Sequence, residues 1–176
     1  MRILLAPDSF KEAASAEAIA QAMARGIMRG DPQAECRLLP LSDGGEGLTH
    51  ALVHATGGTL HSAETVDAIG RPITAQFGFL GNNHASCILH TAVVELASAS
   101  GLERVYPADR DPMTASTFGT GLLIRAAIDA GADRIVLGLG GSATTDGGTG
   151  LAHAFGFRFL DAHDSDIPLG GGALVD

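Results

Sequence analysis

The side chains and backbone groups best suited to binding a ligand are concentrated in one glycine-rich segment, residues 138–150, with the sequence GLGGSATTDGGTG. Six of its thirteen residues are glycine, and it also carries four hydroxyl side chains and the carboxylate of Asp146. Glycines let the backbone approach a ligand closely, and successive N–H groups before a helix attract phosphate. We therefore expect a phosphorylated cofactor to contact Gly140, Gly141, Ser142, Ala143 and Thr144, with Asp146 as a Mg²⁺ contact.

Two loops nearer the amino terminus carry charged groups. The sequence DSFK places Asp8, Ser9 and Lys11, the only lysine of the chain, between a predicted strand and its helix. Asp43–Gly47, with the sequence DGGEG, follows the next predicted strand in the same way. Ligands of open α/β sheets bind at the carboxyl ends of strands, so both loops are expected at one edge. An acid pair there suits Mg²⁺ and a general base, although capping of the next helix is the alternative for Asp43 and Glu46.

Three further features have a functional and a structural interpretation. Gly119 and Thr120 lie in a hydroxyl-rich and glycine-rich loop that leads into a helix, which indicates a second anion contact or simple helix capping. Glu95 ends an apolar strand, where it lines a cleft or marks the strand end. Glu46, His50 and His54 recur every four residues, and we interpret them as a solvated helix face rather than a metal site.

A dinucleotide-binding oxidoreductase is the alternative enzyme class. Residues 138–143 satisfy the pattern G-x-G-x-x-A, and Asp161 follows Gly140 by 21 residues at the end of a predicted strand. In that fold the helix begins at the second glycine, whereas here further glycines delay it beyond Gly148. The P-loop pattern is absent, because no lysine follows a glycine-rich loop.

Composition excludes other functional classes. The chain has 176 residues, 45% of them hydrophobic, and a net charge of −9 with a pI near 5.1. This charge argues against nucleic acid, which needs a dense cationic face. Cys36 and Cys87 lie 51 residues apart without metal-site spacing, which is typical of a reducing compartment, and no apolar run is long enough to span a membrane. We therefore expect a cytoplasmic protein without a membrane partner.

The elements that must position these loops follow an α/β order. The first part predicts β-α-β-α, and the second part predicts three strands on short turns followed by helix, strand, helix and strand. We place a lobe boundary near Asp67, which divides the chain into residues 1–66 and 67–176. The predicted elements are strand Arg2–Ala6, a helix from Ser15 to Gly30, strand Cys36–Leu39, helix Leu48–Thr56, strands Leu60–Val66, Ile73–Leu80 and Ala85–Glu95, helix Gly121–Ala130, strand Arg134–Leu139, helix Leu151–Ala154 and strand Phe157–Leu160.

Five ordered motifs resemble those of bacterial glycerate kinases of the first type. They are APDSFKE from Ala6, DGGEG from Asp43, GTG from Gly119, GGSAT from Gly140 with DGG from Asp146, and GGG from Gly170. The resemblance runs over the whole chain, but family members are roughly twice as long, so the chain resembles an amino-terminal half. Thr145 stands where the family usually has Asn.

The resemblance implies ATP- and Mg²⁺-dependent phosphorylation of D-glycerate to 2-phosphoglycerate. It also implies a flavodoxin-like lobe with a parallel sheet and a second, mixed α/β lobe. In this hypothesis Lys11 and the Gly140–Thr144 backbone balance phosphate charge, Asp43 and Asp146 hold Mg²⁺, and Asp8 positions or deprotonates the substrate hydroxyl. Gly119 and Thr120 also contact the cofactor. The substrate contacts are Ser9, Gly44, Gly45 and Glu46.

A non-catalytic fragment is the remaining alternative. A parallel sheet of two strands, Arg2–Ala6 and Cys36–Leu39, leaves edges and an apolar face uncovered. We therefore expect residues 1–176 alone to lack kinase activity and to self-associate or be partly unfolded.

Overall fold

The computed structural model describes residues 1–10, 13–81 and 90–175. Strands and helices alternate up to the second helix. Three consecutive strands follow, and then two α-helices, one further strand and a last α-helix. The strands are β1 (Arg2–Leu5), β2 (Glu35–Leu38), β3 (Thr59–Val66), β4 (Pro72–Phe79), β5 (Thr91–Glu95) and β6 (Arg134–Gly138). The α-helices are α1 (Ala16–Gly30), α2 (Leu48–Thr56), α3 (Ala97–Ser100), α4 (Phe118–Asp129) and α5 (Thr149–Ala154).

Local capping chemistry sets the ends of the first two helices. The side-chain oxygen of Ser15 accepts a hydrogen bond from the N–H of Ala18 at 3.2 Å, which satisfies a donor in the first turn of α1. Gly57 ends α2 in the left-handed conformation, with φ of 65°. Both ends confirm the boundaries predicted from the sequence.

The strands form two sheets. β1 and β2 pair in parallel, from Arg2 opposite Glu35 to Leu5 opposite Leu38. The second sheet has the order β3-β4-β5-β6, in which β3, β4 and β5 are antiparallel neighbours and β6 is parallel to β5. The crossover between β5 and β6 contains α4, as a parallel connection requires. The mixed α/β class is confirmed, with a parallel sheet and a mixed sheet.

The four-stranded sheet is covered by helices on both faces. Phe77 of β4 packs in the core with Leu123 and Ile124 of α4. The next residue, Gly78, faces α2, because a Cβ at that position would collide with the side chain of Val53. Successive side chains of a strand point to opposite faces, so α4 and α2 lie on opposite sides of the sheet. All five residues of β5 are buried, as expected for a strand covered on both faces.

Three element predictions need correction or restriction. The helix predicted from Gly121 begins three residues earlier, at Phe118, so Gly119 and Thr120 lie inside α4 and not in the loop before it. No strand forms at Phe157–Leu160 in the described structure, where the only pairing is an isolated bridge between Leu160 and Asp166. Phe157 is 64% exposed, so this segment lacks the packing that would hold it in a sheet. The predicted strand Ala85–Glu95 is observed from Thr91, and residues 85–89 lie outside the described residues.

The change from one sheet to the other occurs before Thr59. β3 pairs with β4 along its whole length, so residues 59–66 belong with the second sheet, whereas the sequence placed the boundary near Asp67. The division into two lobes itself stays a prediction. In the described ranges, no helix combines the length and the apolar character that crossing a membrane requires.

Candidate functional site

The two glycine loops predicted as ligand-binding segments meet directly. The backbone N–H of Gly140 donates to the carbonyl oxygen of Gly44 at 3.0 Å. A Cβ on Gly140 would collide with the backbone of Gly45, so the close approach requires glycine. The structure thus brings together the predicted substrate contacts Gly44 and Gly45 and the predicted cofactor contact Gly140. It also shows that these glycines have a packing role.

Glu46 extends from the first loop over the second. A Cβ placed on Gly141 would lie 2.6 Å from Oε1 of Glu46 and 3.2 Å from Cβ of Ala97. The carbonyl of Gly141 accepts the N–H of Leu102 at 2.8 Å, which anchors the loop to the segment after α3. The Glu46 carboxylate therefore lies beside Gly141.

Ser142 and Thr144 form a turn in the second loop. Ser142 is exposed, and its Oγ lies 2.9 Å from Oγ1 of Thr144 and accepts the Thr144 N–H at 3.1 Å. Ala143 donates its N–H to the carbonyl of Ser100 at 3.0 Å. The Ser142–Thr144 turn is thus fixed by its own hydrogen bonds, with Ser142 exposed and Thr144 half-buried.

A cavity of about 250 Å³ opens beside these loops. It lies where parallel strands β5 and β6 end, because Glu95 and Gly138, the last residues of these strands, are register partners. This is the edge at which open α/β sheets bind ligands. The lining residues are Glu46, Thr49, His50, Gln76, Glu95, Ala97, Ser98, Glu103 and Arg104.

Glu95 and Thr49 are the buried polar residues of this cavity. Glu95 is 5% exposed, and its Oε1 accepts the backbone N–H of Thr49 at 2.5 Å, in the first turn of α2. Its Oε2 has one long contact, 3.5 Å, from the Ser98 hydroxyl. Thr49 is 2% exposed, and in the described part of the chain its Oγ1 has no hydrogen-bond partner. The rim carries His50, whose Nε2 lies 3.1 Å from Oε1 of Gln76.

Asp146 is buried away from this cavity. It is 1% exposed, and its Oδ2 accepts the N–H and the hydroxyl of Thr117, both at 2.8 Å, and the N–H of Gly150 at 3.1 Å. Its Oδ1 accepts the N–H of Gly148 at 3.1 Å. A metal ligand needs an open coordination position, whereas this carboxylate is enclosed by protein donors. In contrast to the prediction, the described structure therefore gives Mg²⁺ no access to the Asp146 carboxylate.

Gly119 and Thr120 are also accounted for by packing. A Cβ on Gly119 would collide with the carbonyl of Val66, and the Gly119 carbonyl accepts the Thr65 hydroxyl at 2.7 Å. Thr120 has no exposed surface, and its hydroxyl donates to Oγ of Ser100 at 2.9 Å. In contrast to the prediction, neither residue offers a surface to a nucleotide in the described structure.

The remaining predicted site residues lie in exposed loops or outside the described residues. Asp8 is exposed, and its Oδ1 accepts the N–H of Ser9 at 2.6 Å. Asp43 is exposed, and its Oδ1 accepts the N–H of Gly45 at 3.0 Å. Lys11 lies outside the described residues. Across the described ranges, no three His, Cys, Asp or Glu side chains are grouped so as to hold a metal ion.

Most residues that line the cavity were not predicted from the sequence. Glu95 was predicted either to line a cleft or to mark a strand end, and His50, which is exposed, was interpreted as part of a solvated helix face. Thr49, Gln76 and Arg104 carried no prediction. The signal for Glu95 was an acid directly after the mostly apolar segment TAVV, at the end of a strand, where the ligands of parallel sheets bind. Thr49 and Gln76 carried no such signal, because they join the cavity only through the packing of α2 on β4.

The dinucleotide interpretation loses its structural basis. α5 begins at Thr149, nine positions after Gly140, so no helix N-terminus follows the second glycine. Asp161 is occupied in its own turn, where Oδ1 accepts the N–H groups of His163 at 2.7 Å and Ser165 at 3.0 Å.

Comparison with known proteins decides the family. A family model described as "Glycerate kinase family" matches residues 3–176. The chain belongs to the glycerate kinase family. It is 48% identical over 174 residues to glycerate kinase of Bacillus subtilis strain 168, and 41% identical over 174 residues to glycerate 2-kinase of Escherichia coli K12. In both cases 99% of this chain aligns with 44% of the relative.

The structural comparison agrees. A crystal structure assigned as glycerate kinase 2 of Salmonella typhimurium LT2 superposes with a TM-score of 0.75 at 44% identity, covering 99% of this chain and 46% of that one. The chain thus spans less than half the length of the glycerate kinases that it matches.

Proposed function

We propose that this chain supplies part of the active site of a glycerate kinase that phosphorylates D-glycerate with ATP to give 2-phosphoglycerate. The observation that supports this proposal is the cavity at the ends of β5 and β6, two of whose lining residues, Glu46 and Ala97, lie against Gly141 of the Gly140–Thr144 loop. A small acceptor in the cavity would lie next to a loop suited to phosphate. The name of the Escherichia coli relative, glycerate 2-kinase, supports the choice of product.

In the proposed reaction a hydroxyl oxygen of glycerate forms a bond to the γ-phosphorus of ATP. The bond from that phosphorus to the ADP oxygen breaks, and the hydroxyl proton passes to a carboxylate. We propose Asp8 for that proton, the Ser142–Thr144 hydroxyls and backbone for the phosphates, and Lys11 for their charge. Ser9, Gly44, Gly45 and Glu46 remain the proposed substrate contacts, and of these only Glu46 lines the cavity in the described structure.

ATP is expected to bind together with Mg²⁺, and the described residues supply only part of a Mg²⁺ site. Mg²⁺ is usually held by one or two carboxylates together with substrate phosphates. Asp43 fits that requirement, because it is exposed and only its Oδ1 accepts a protein hydrogen bond in the described structure. The metal would neutralise charge on the transferred phosphoryl group. Asp43 would contribute a carboxylate oxygen to it.

A chimera tests the proposed function. Residues 1–176 would replace the aligned 44% of the Bacillus subtilis glycerate kinase, and ADP release would be measured with and without D-glycerate. We expect D-glycerate-dependent release, and Asp8→Asn should abolish most of it. A folded chimera without D-glycerate-dependent ADP release, beside an active parent enzyme, would contradict the proposal.

We also propose that residues 1–176 by themselves self-associate. β1 and β2 form a two-stranded sheet, and Leu4 of β1 is 58% exposed. Open strand edges beside exposed apolar side chains favour pairing between chains. Light scattering over a range of concentrations should show a mass above 17.9 kDa. A monodisperse monomer at every concentration would contradict this expectation.

A further inference from the structure

The glycine triplet Gly170–Gly172 is one of the five motifs, yet it has no part in the proposed function. It approaches two other segments closely. A Cβ on Gly170 would lie 2.5 Å from the carbonyl oxygen of Met113, and a Cβ on Gly171 would lie 2.7 Å from both the carbonyl oxygen and Oγ1 of Thr145. Gly170 also has a φ of 109°, which residues with side chains rarely adopt. The triplet therefore allows close packing against Met113 and Thr145.

A second contact reaches Thr145 from the turn that precedes α4. The hydroxyl of Thr145 donates to the carbonyl oxygen of Pro112 at 2.7 Å. The next residue, Met113, accepts the N–H of Gly172 at 2.9 Å, so the same turn also holds the triplet. Thr145 is therefore held from two sides, by a hydrogen bond to Pro112 and by close packing against Gly171. We call this arrangement the clamp; its members are Pro112, Met113, Thr145 and Gly170–Gly172.

The clamp fixes the glycine loop directly after the Ser142–Thr144 turn. Thr145 follows that turn, and the next residue, Asp146, is buried and hydrogen-bonded at the first turns of α4 and α5. Before the turn, the loop is fixed by the hydrogen bond from the Gly140 N–H to Gly44. A loop already held in its binding geometry loses less conformational entropy when a ligand binds, so its affinity is higher.

The exposure of Thr145 separates a positional role from a role in stability. Thr145 and Pro112 are both exposed, so the hydrogen bond between them competes with water and adds little to the free energy of unfolding. Asp146, in contrast, is 1% exposed and serves as a buried acceptor. The main effect of the Thr145 hydrogen bond is therefore to restrict where the loop lies.

We propose that Thr145 and Gly171 are positioning residues for the phosphates of ATP, because the clamp holds Thr145 and Thr145 sets the geometry of the Ser142–Thr144 turn. The inference rests on the proposed function in taking the Gly140–Thr144 loop as the phosphate site. Neither Thr145 nor Gly171 has to touch the nucleotide, since both act through the backbone of the loop. Loosening the clamp from either side should therefore weaken nucleotide binding.

The central test compares Thr145→Val, which removes the hydroxyl and keeps the shape, with Thr145→Ser, which keeps the hydroxyl. In calorimetric titration of residues 1–176 with ADP, Thr145→Val should bind about 3- to 10-fold more weakly and Thr145→Ser within about 2-fold of the parent. Thermal unfolding should be nearly unchanged in both. Thr74→Val is the matched control, because Thr74 is also exposed and its hydroxyl also donates one hydrogen bond, to Glu64 at 2.8 Å. It should leave the ADP affinity unchanged.

Gly171→Ala tests the clamp from the opposite side. The new methyl group meets the carbonyl oxygen and Oγ1 of Thr145, so ADP should again bind about 3- to 10-fold more weakly. Because both substitutions disturb one contact, the double variant should lose less affinity than the product of the two single losses. Gly26→Ala, with nothing within 4 Å of its methyl group, is the control and should bind ADP as the parent does.

Four results would overturn the inference. The first is an ADP affinity equal to that of the parent in both Thr145→Val and Gly171→Ala. The second is weaker binding in Thr145→Val alone, which would show that the Thr145 hydroxyl contacts the nucleotide itself. The third is a double variant whose loss equals the product of the single losses, because the two residues would then act independently. The fourth is a parent that does not bind ADP at millimolar concentration.

The same variants in the chimera distinguish failure of this inference from failure of the proposed function. We expect Thr145→Val and Gly171→Ala to raise KM for ATP by about 3- to 10-fold and to leave KM for D-glycerate unchanged. If the chimera phosphorylates D-glycerate and neither variant changes KM for ATP, the positioning role is wrong and the kinase function stands. If both variants weaken ADP binding but the folded chimera releases no ADP with D-glycerate, the positioning role stands and the kinase function fails.

Discussion

The Asp146 carboxylate accepts both the backbone N–H and the side-chain hydroxyl of Thr117, each at 2.8 Å. The same oxygen accepts the N–H of Gly150 in α5, so one buried acid joins the first turns of α4 and α5. Negative charge is favourable at helix N-termini, and here the N-termini of α4 and α5 share one carboxylate. Asp146 therefore stabilises the fold around the glycine loop.

Asp146→Ala should lower the free energy of unfolding by about 3 kcal/mol or more, because several buried donors lose their acceptor. Urea unfolding followed by circular dichroism measures the change. Asp43→Ala is the matched control: Asp43 is exposed, has one local hydrogen bond, and should cost less than about 1 kcal/mol. Equal stability of the two variants would contradict the structural role of Asp146.

Gly140→Ala and Gly26→Ala should change stability in opposite directions. A methyl group at Gly140 meets the backbone of Gly45, which cannot rotate away, so we expect a loss of about 1–3 kcal/mol. At Gly26, inside α1, nothing lies within 4 Å of the new methyl group, and alanine should stabilise the helix by about 0.5–1 kcal/mol. Thermal unfolding of both variants checks the signs. A stabilised Gly140→Ala protein would show that the two loops do not touch in solution.

Asp67 makes stability depend on pH. Burial alone would raise the pKa of Asp67, but the side-chain hydrogen bond from Arg71 at 2.6 Å and backbone hydrogen bonds from Arg71 and Ile69 outweigh it and hold the pKa below its usual value. The stabilisation is therefore fully present above the unfolded pKa of about 3.9 and is lost as pH falls through the lower, folded value.

Asp67→Asn should therefore be less stable than the parent at pH 7, and the difference should shrink below about pH 4. Chemical unfolding at a series of pH values gives the two curves. Asp109→Asn is the control, because Asp109 pairs with the same Arg71 at 3.4 Å but is about half exposed. A gap between parent and Asp67→Asn that stays constant down to pH 2 would refute the linkage.

Thr144→Ala should weaken ADP binding without destabilising the protein. Its hydroxyl contacts the exposed Ser142 hydroxyl at 2.9 Å and belongs to the loop proposed for the phosphates. We expect an affinity loss of about 3- to 10-fold by calorimetry, the range of one hydrogen bond. Ser62→Ala, an exposed hydroxyl on β3, should have no effect. An unchanged ADP affinity in Thr144→Ala would show that the Thr144 hydroxyl does not contact the phosphates.

The sequence was sufficient for features that short-range chemistry decides. Ser15 and Gly57 specify helix ends through contacts within a few residues, and both were predicted correctly. Phe157 was misassigned because its short apolar run finds no neighbouring strand in the described structure. Strand formation depends on such distant partners.

The candidate site was less accessible to prediction for the same reason. A glycine suits both a phosphate contact and close backbone packing, so the sequence could not distinguish these two roles for Gly44 and Gly140. An aspartate likewise suits both a metal site and a buried hydrogen-bond acceptor, so the sequence could not distinguish these two roles for Asp146. Thr49 carried no signal in the sequence, because its burial depends on the packing of α2 against Gly78 of β4.

The contact between Gly44 and Gly140 has a further consequence for how the chain folds. It joins residues 96 positions apart, whereas the turn between β3 and β4 closes within a few residues. Long-range closure carries a larger entropic cost and is made after local contacts. The β3–β4 hairpin should therefore form early, and the two glycine loops should dock late. In a refolding reaction, amides of β3 would be protected from hydrogen exchange before the amide of Gly140.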